Sequence, residues 1–194
     1  MNDKGSKMRM KLFLFTELIL FGGMFVLYAA YRYKYPDNFK VAALSLDTLI
    51  GTVNTILLLT SSLTIGLAGN ALLRKNKTFS IYMLSFTVIT GGAFLVNKYI
   101  EWSIKIYQGI YPGGPEMANL SDGEVMFYGL YYFMTGFHVL HVIVGLIFIL
   151  FMIVFVIKDK QTFDNNYKLE NTGLYWHLVV IIWIFLFPLF YLIH

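Results

Sequence analysis

Six ionisable side chains stand inside long apolar runs of this sequence: Glu17, Lys98, Glu101, His138, His141 and His177. At the centre of a bilayer such a group costs about 2.5–3.5 kcal/mol on insertion scales, so each needs a partner or a task. Glu17 lies about 8 Å past the start of the first run, too deep for its short side chain to reach water comfortably. A hydrogen bond between helices and proton handling are the two uses open to it. Lys98 and Glu101 are three residues apart near the outer end of the third run. They share a helix face and can pair, and they read as a boundary pair whose heads snorkel to water. His138 and His141 share a face near the middle of the fourth run, and His177 lies near the inner end of the fifth. A bis-histidine haem needs two ligands at one height, yet His177 is about 8 Å from the inner side and His138 and His141 about 24–28 Å. The latter two could chelate a small ion from one side, but no carboxylate at matching depth completes a site. Hydrogen bonding between helices is the reading for all three.

The elements that position these groups follow from composition. Hydrophobic residues make up 58% of the 194 and charged ones only 13%, against roughly 25% charged in a soluble domain. A bilayer removes the need for a charged surface. Five apolar runs, each near or above the roughly 20 residues a spanning helix needs, fall at about 11–32, 46–73, 79–104, 125–157 and 172–193. The fold class is therefore all-α, a polytopic membrane bundle of five transmembrane helices in a single domain. The fourth run exceeds a bilayer's need and predicts tilt or projection into water. The first has a basic lead-in resembling a secretory signal, but it is too long, contains Glu17 and lacks an A-x-A site, so it reads as a retained helix.

With the N-terminus inside, the inner segments hold Lys4, Lys7, Arg9, Lys11, Arg74, Lys75, Lys77, Lys158, Lys160 and Lys168, and the outer ones Arg32, Lys34, Lys40 and Lys105. This satisfies the positive-inside rule and places His194 outside. The stretch Tyr111-Pro-Gly-Gly-Pro115, followed by Glu116, Asp122 and Glu124, is outer-loop chemistry. Gly22-Gly23, Gly91-Gly92 and the spacing Ser62, Gly66, Gly69 predict close helix approach. Asn54, Ser61 and Asn70 should face protein. The absence of cysteine excludes disulfides, thiolate-ligated iron–sulfur clusters and a thiolate-bridged dinuclear copper site. Neither internal repeats nor broken helices suggest a transporter.

The fourth run reads Gly129-Leu-Tyr-Tyr-Phe-Met-Thr-Gly-Phe-His138-Val-Leu-His141-Val-Ile-Val-Gly145. It resembles the T-G-x-H-G-x-H-V-x-x-G signature of subunit III of the haem-copper respiratory oxidases. The fifth run, Leu174-Tyr175-Trp176-His177 through Trp183, is similar to that family's Y-W-H-F-V-D-x-V-W. Lys98-Tyr-Ile-Glu101-Trp102 resembles K-x-x-E-Y, Phe15-Thr-Glu17-Leu-Ile-Leu-Phe-Gly-Gly matches the family's buried glutamate, and Asn54 to Ser62 also fits. Val139 replaces a glycine of the fourth motif, which implies a wider helix contact, and Val180 replaces an aspartate of the fifth.

The resemblance, to the short five-helix bacterial form, implies a non-catalytic accessory subunit of a terminal oxidase in aerobic electron transport. It implies no cofactor and no metal in this chain, with haems and copper in partner subunits. The implied partners are subunit I, subunit II and membrane phospholipid, with no nucleic acid. The implied location is the bacterial plasma membrane, N-terminus cytoplasmic and C-terminus outside. Glu17 carries over as the buried carboxylate related to proton uptake or lipid. Lys98, Glu101, His138, His141, Tyr175, Trp176 and His177 carry over as motif residues with structural roles. A component associated with a nitric oxide reductase or a quinol oxidase shares the pattern.

Overall fold

In a bilayer every backbone N–H and C=O must be satisfied within the protein, which leaves the helix as the economical solution for apolar runs of this length. A computed structural model describes residues 3–158 and 167–193. It contains α1 (Asp3–Lys34), α2 (Pro36–Leu44), α3 (Thr48–Leu73), α4 (Lys77–Tyr107), α5 (Asp122–Ile157) and α6 (Tyr167–Tyr191). Five of these are long and apolar enough to cross a membrane. The five expected runs are thus all helices. Lys160 and His194, used above for orientation, lie outside the described residues.

Local chemistry sets the ends. Asp47 caps α3 by accepting from the backbone N–H groups of Leu49 at 2.9 Å and Ile50 at 3.2 Å. Lys75 then takes a positive φ of 61°, turning the chain so that Asn76 Oδ1 can cap α4 through Phe79 N at 3.1 Å. Ser121 and Glu124 form a reciprocal capping box at the start of α5, which satisfies two otherwise orphaned donors. α5 runs for 36 residues, about 54 Å at 1.5 Å per residue, longer than the roughly 30 Å hydrocarbon core of a bilayer.

α3 and α4 form the most extensive pair, and α6 packs against α3 and α5. The main neighbours of α1 are α5, α6 and α2, not α3 or α4. Segment 33–45, expected as an outer connection, contains α2 instead. Pro36 starts it without sacrificing a hydrogen bond, and Phe39, Ala42 and Ala43 are buried, with α5 as the principal contact. A further 3-10 turn spans Pro115–Asn119 in the next outer connection.

Of the glycines singled out in the sequence, Gly91 makes a close approach, and Gly145 makes another that the spacing does not announce. A Cβ on Gly145 would lie 2.7 Å from Trp176 Cε3, and one on Gly91 would lie 2.8 Å from Leu146 Cδ2 and 3.0 Å from Trp176 Cη2. The Trp176 indole is therefore wedged against two glycine surfaces. Gly22, Gly23, Gly66, Gly69 and Gly92 have nothing within 4 Å of such an atom. Gly66 and Gly69 instead line an open groove between α3 and α6, of about 470 Å³. Asn70 is exposed in the same groove and does not face protein as expected.

Candidate functional site

Towards its C-terminal end, α4 carries Lys98 and Glu101 one turn apart. They are 1% and 4% exposed, so the snorkelling expectation is overturned. The reason is the partners that α5 and α6 supply. Lys98 Nζ donates to Glu101 Oε2 at 3.2 Å and to the hydroxyls of Tyr131 and Tyr191, both at 3.0 Å. Tyr191 OH donates to Glu101 Oε1 at 2.5 Å, and Tyr131 OH donates to the same oxygen. The ammonium also lies within 5.7 Å of the ring centres of Trp102, Tyr131, Trp183 and Tyr191, where the ring quadrupoles attract a cation. A buried ion pair persists only with such additional bonds. Tyr131 and Tyr191 were missed by sequence reasoning; an aromatic hydroxyl on a neighbouring run, at the depth of an intramembrane pair, was the available signal. One turn further along α4, Lys105 Nζ donates to Ser45 O at 2.8 Å and Ser45 Oγ at 3.2 Å, fastening the end of α2.

Deeper in the bundle, His138 is fully buried between Phe94 and Trp183. Its Nε2–H donates to Val179 O at 3.0 Å, and Nδ1 has no partner. This carbonyl contact joins α5 to α6, the bridging use expected of the residue.

His141 does meet a carboxylate. Its Nε2 lies 2.8 Å from Glu17 Oε2, which corrects the expectation that no carboxylate lies at its depth. Depth counted along one run does not carry over to another: α1 begins at Asp3 and α5 is 36 residues long, so the ends of the two helices do not mark a common plane. Tyr175, on α6, donates from its hydroxyl to His141 O at 3.1 Å. Its ring stacks on the imidazole with centroids 6.4 Å apart. Trp176 Nε1–H donates to Ser61 Oγ at 2.9 Å, and His177 Nδ1 is hydrogen bonded to the Ser62 hydroxyl at 2.7 Å. Three successive residues of α6 thus serve two different neighbours, Tyr175 reaching α5 and the next two reaching α3. Asn54 is fully buried as expected and accepts from Asn97 Nδ2 at 2.9 Å.

Lys98 and Glu101 therefore come together with two tyrosines, and Glu17, His141 and Tyr175 form a second cluster. His138 fastens α5 to α6, and Trp176 and His177 both fasten α6 to α3. Among the described residues, no three His, Asp or Glu side chains converge as a metal-holding group.

The fold and its buried polar clusters define a multi-pass α-helical membrane protein. The family model described as cytochrome c oxidase subunit III matches residues 1–194. A "Heme-copper oxidase subunit I+III" from Aeropyrum pernix is 30% identical over 193 residues, which cover 95% of this chain and 22% of that protein. "Cytochrome c oxidase subunit 3" of Yarrowia lipolytica is 32% identical over 139 residues, covering 72% of this chain and 47% of that one. The protein of the same name from Struthio camelus is 30% identical over 200 residues, covering 97% and 70%. The chain thus spans under a quarter of the first relative and about half of the second. It belongs to the cytochrome c oxidase subunit III family.

Proposed function

We propose that this chain is a non-catalytic accessory subunit III of a bacterial haem-copper terminal oxidase, seated against subunit I with subunit II in the same complex. The observation that carries this reading is the family match along residues 1–194. The relative whose name joins subunits I and III in one polypeptide supports subunit I as the direct partner. In this reading haems and copper reside in partner subunits, phospholipid occupies space between the helices, and the chain supports proton uptake. Its N-terminus faces the cytoplasm, in keeping with the distribution of lysine and arginine.

Glu17 is the residue assigned to proton uptake, because it is the carboxylate on α1 that enters the bundle and finds a titratable partner. Lys98, Glu101, His138, Tyr175, Trp176 and His177 hold the helices in register around it.

Purification of the tagged chain in mild detergent, with identification of the co-purifying proteins, tests the reading. Recovery of a haem-bearing subunit I and a subunit with copper-binding cysteines is the expected result. Recovery with nitric-oxide-reducing subunits, or alone under conditions that keep other membrane complexes intact, would overturn it.

A further inference from the structure

We propose that Glu17 and His141 form a binding site for one proton, held in either of two arrangements with no net charge. His141 stands between two oxygens. Its Nδ1 is 2.7 Å from the carbonyl oxygen of Phe137. A carbonyl can only accept, so Nδ1 carries a hydrogen. Its Nε2 is 2.8 Å from Glu17 Oε2, and one further hydrogen must occupy that gap. In one arrangement the carboxyl is protonated and its O–H donates to a neutral imidazole. In the other, the imidazolium Nε2–H donates to a carboxylate. A neutral imidazole beside an ionised carboxyl would set two lone pairs against each other at this separation. The two allowed arrangements differ only in which atom holds the shared proton, and each sums to zero charge.

The surroundings favour that neutrality. The side chains of His141 and Glu17 are 11% and 14% exposed, so a net charge on the pair would be largely desolvated. The edge of Phe21 meets the imidazole with centroids 5.5 Å apart, and the stacked Tyr175 covers its face. The other titratable groups beside the pair have their hydrogens engaged. Tyr175 OH donates to His141 O and His138 Nε2–H to Val179 O, so neither delivers a hydrogen into the gap. On α1 the preceding charged residues, Arg9 and Lys11, are exposed, and Lys168 and Glu170 lie towards the start of α6.

This assignment gives a chemical form to the proton role proposed for Glu17. It rests on that reading only for its purpose, since its geometry belongs to this chain alone. The test accordingly reads the protonation of His141 and not turnover. Solid-state NMR of the intact complex in bilayers, with nitrogen-15 histidine and His141 assigned by its loss in His141→Asn, should show Nδ1 protonated, with a hydrogen shared at Nε2. Glu17→Gln should remove the Nε2–H character entirely and leave a neutral Nδ1–H ring that accepts from the amide. Infrared spectra of the unsubstituted protein supply a readout that needs no variant to fold. A Glu17 carboxylate band that grows with pH while His141 stays neutral would overturn the proposal. So would a bare Nδ1 in the wild type, or a doubly protonated ring in Glu17→Gln.

Discussion

Lys98 Nζ donates to Tyr191 OH at 3.0 Å, joining the C-terminal part of α4 to the last residue of α6 across 93 positions of sequence. Both ends of this bond also contact Glu101, so the three residues, with Tyr131, form one buried polar unit.

Removing a single charge from that unit should be expensive. Lys98→Met leaves a buried carboxylate without its cation, and Glu101→Gln leaves a buried ammonium. Each should cost about 3–5 kcal/mol. The double variant should cost clearly less than the sum of the two. Thermal unfolding in detergent, followed by loss of helical signal, measures all three. Strict additivity would mean that the pair contributes nothing jointly.

The glycines should separate into two kinds. Gly145→Ala drives a methyl group into the Trp176 ring and should destabilise by about 1–3 kcal/mol, the usual penalty of overpacking. Gly66→Ala meets open space and should be neutral or slightly stabilising, since alanine suits a helix better by up to about 1 kcal/mol. Melting temperatures of the two variants, compared in the same detergent, should move in opposite directions or differ by several degrees.

Asn97→Leu removes the donor that Asn54 Oδ1 accepts from. Interhelical hydrogen bonds in membranes average about 0.6 kcal/mol and reach about 1.7, so the expected loss lies in that range. Asn54 Nδ2 already has no partner. Adding Asn54→Leu to Asn97→Leu should therefore recover stability, and a further drop in melting temperature would contradict this.

Reporter fusions give the topology directly. A reporter inserted in the turn at Lys75 should report the cytoplasmic side, and one placed after Ile193 the opposite side. Equal signals would mean that one of α4, α5 and α6, the three long helices between the two reporters, does not cross.

The helices were legible because lipid leaves the backbone few alternatives, and length plus apolarity is sufficient to find them. Their mutual register was not legible. Distances counted along one helix say nothing of how far its neighbour projects past the bilayer, which is why Glu17 and His141 seemed to lie at different depths. The pairing of Lys98 with Glu101 follows from helical spacing alone. Its burial depends on Tyr131 and Tyr191, whose positions are fixed only when α5 and α6 dock. Likewise a small residue announces that close packing is possible, not where it happens. Gly145 and Gly91 became contacts because Trp176 is large enough to fill the space between them, whereas Gly66 has no such neighbour. The orientation of Asn70 failed for the same reason: one helix face does not reveal whether another helix covers it.

The isolation of α1 from α3 and α4 has a consequence for how the protein is made. α1 precedes α3, α4, α5 and α6 in the chain, and the histidine that completes Glu17 follows 124 positions later. At about 5–20 residues per second, that interval is roughly 6–25 s. Throughout it, the nascent helix has a carboxyl side chain and, apart from short α2, no lasting helical neighbour of its own. Until His141 arrives, the Glu17 carboxyl stands in an apolar run without that bond, at an insertion cost of about 2.5–3.5 kcal/mol.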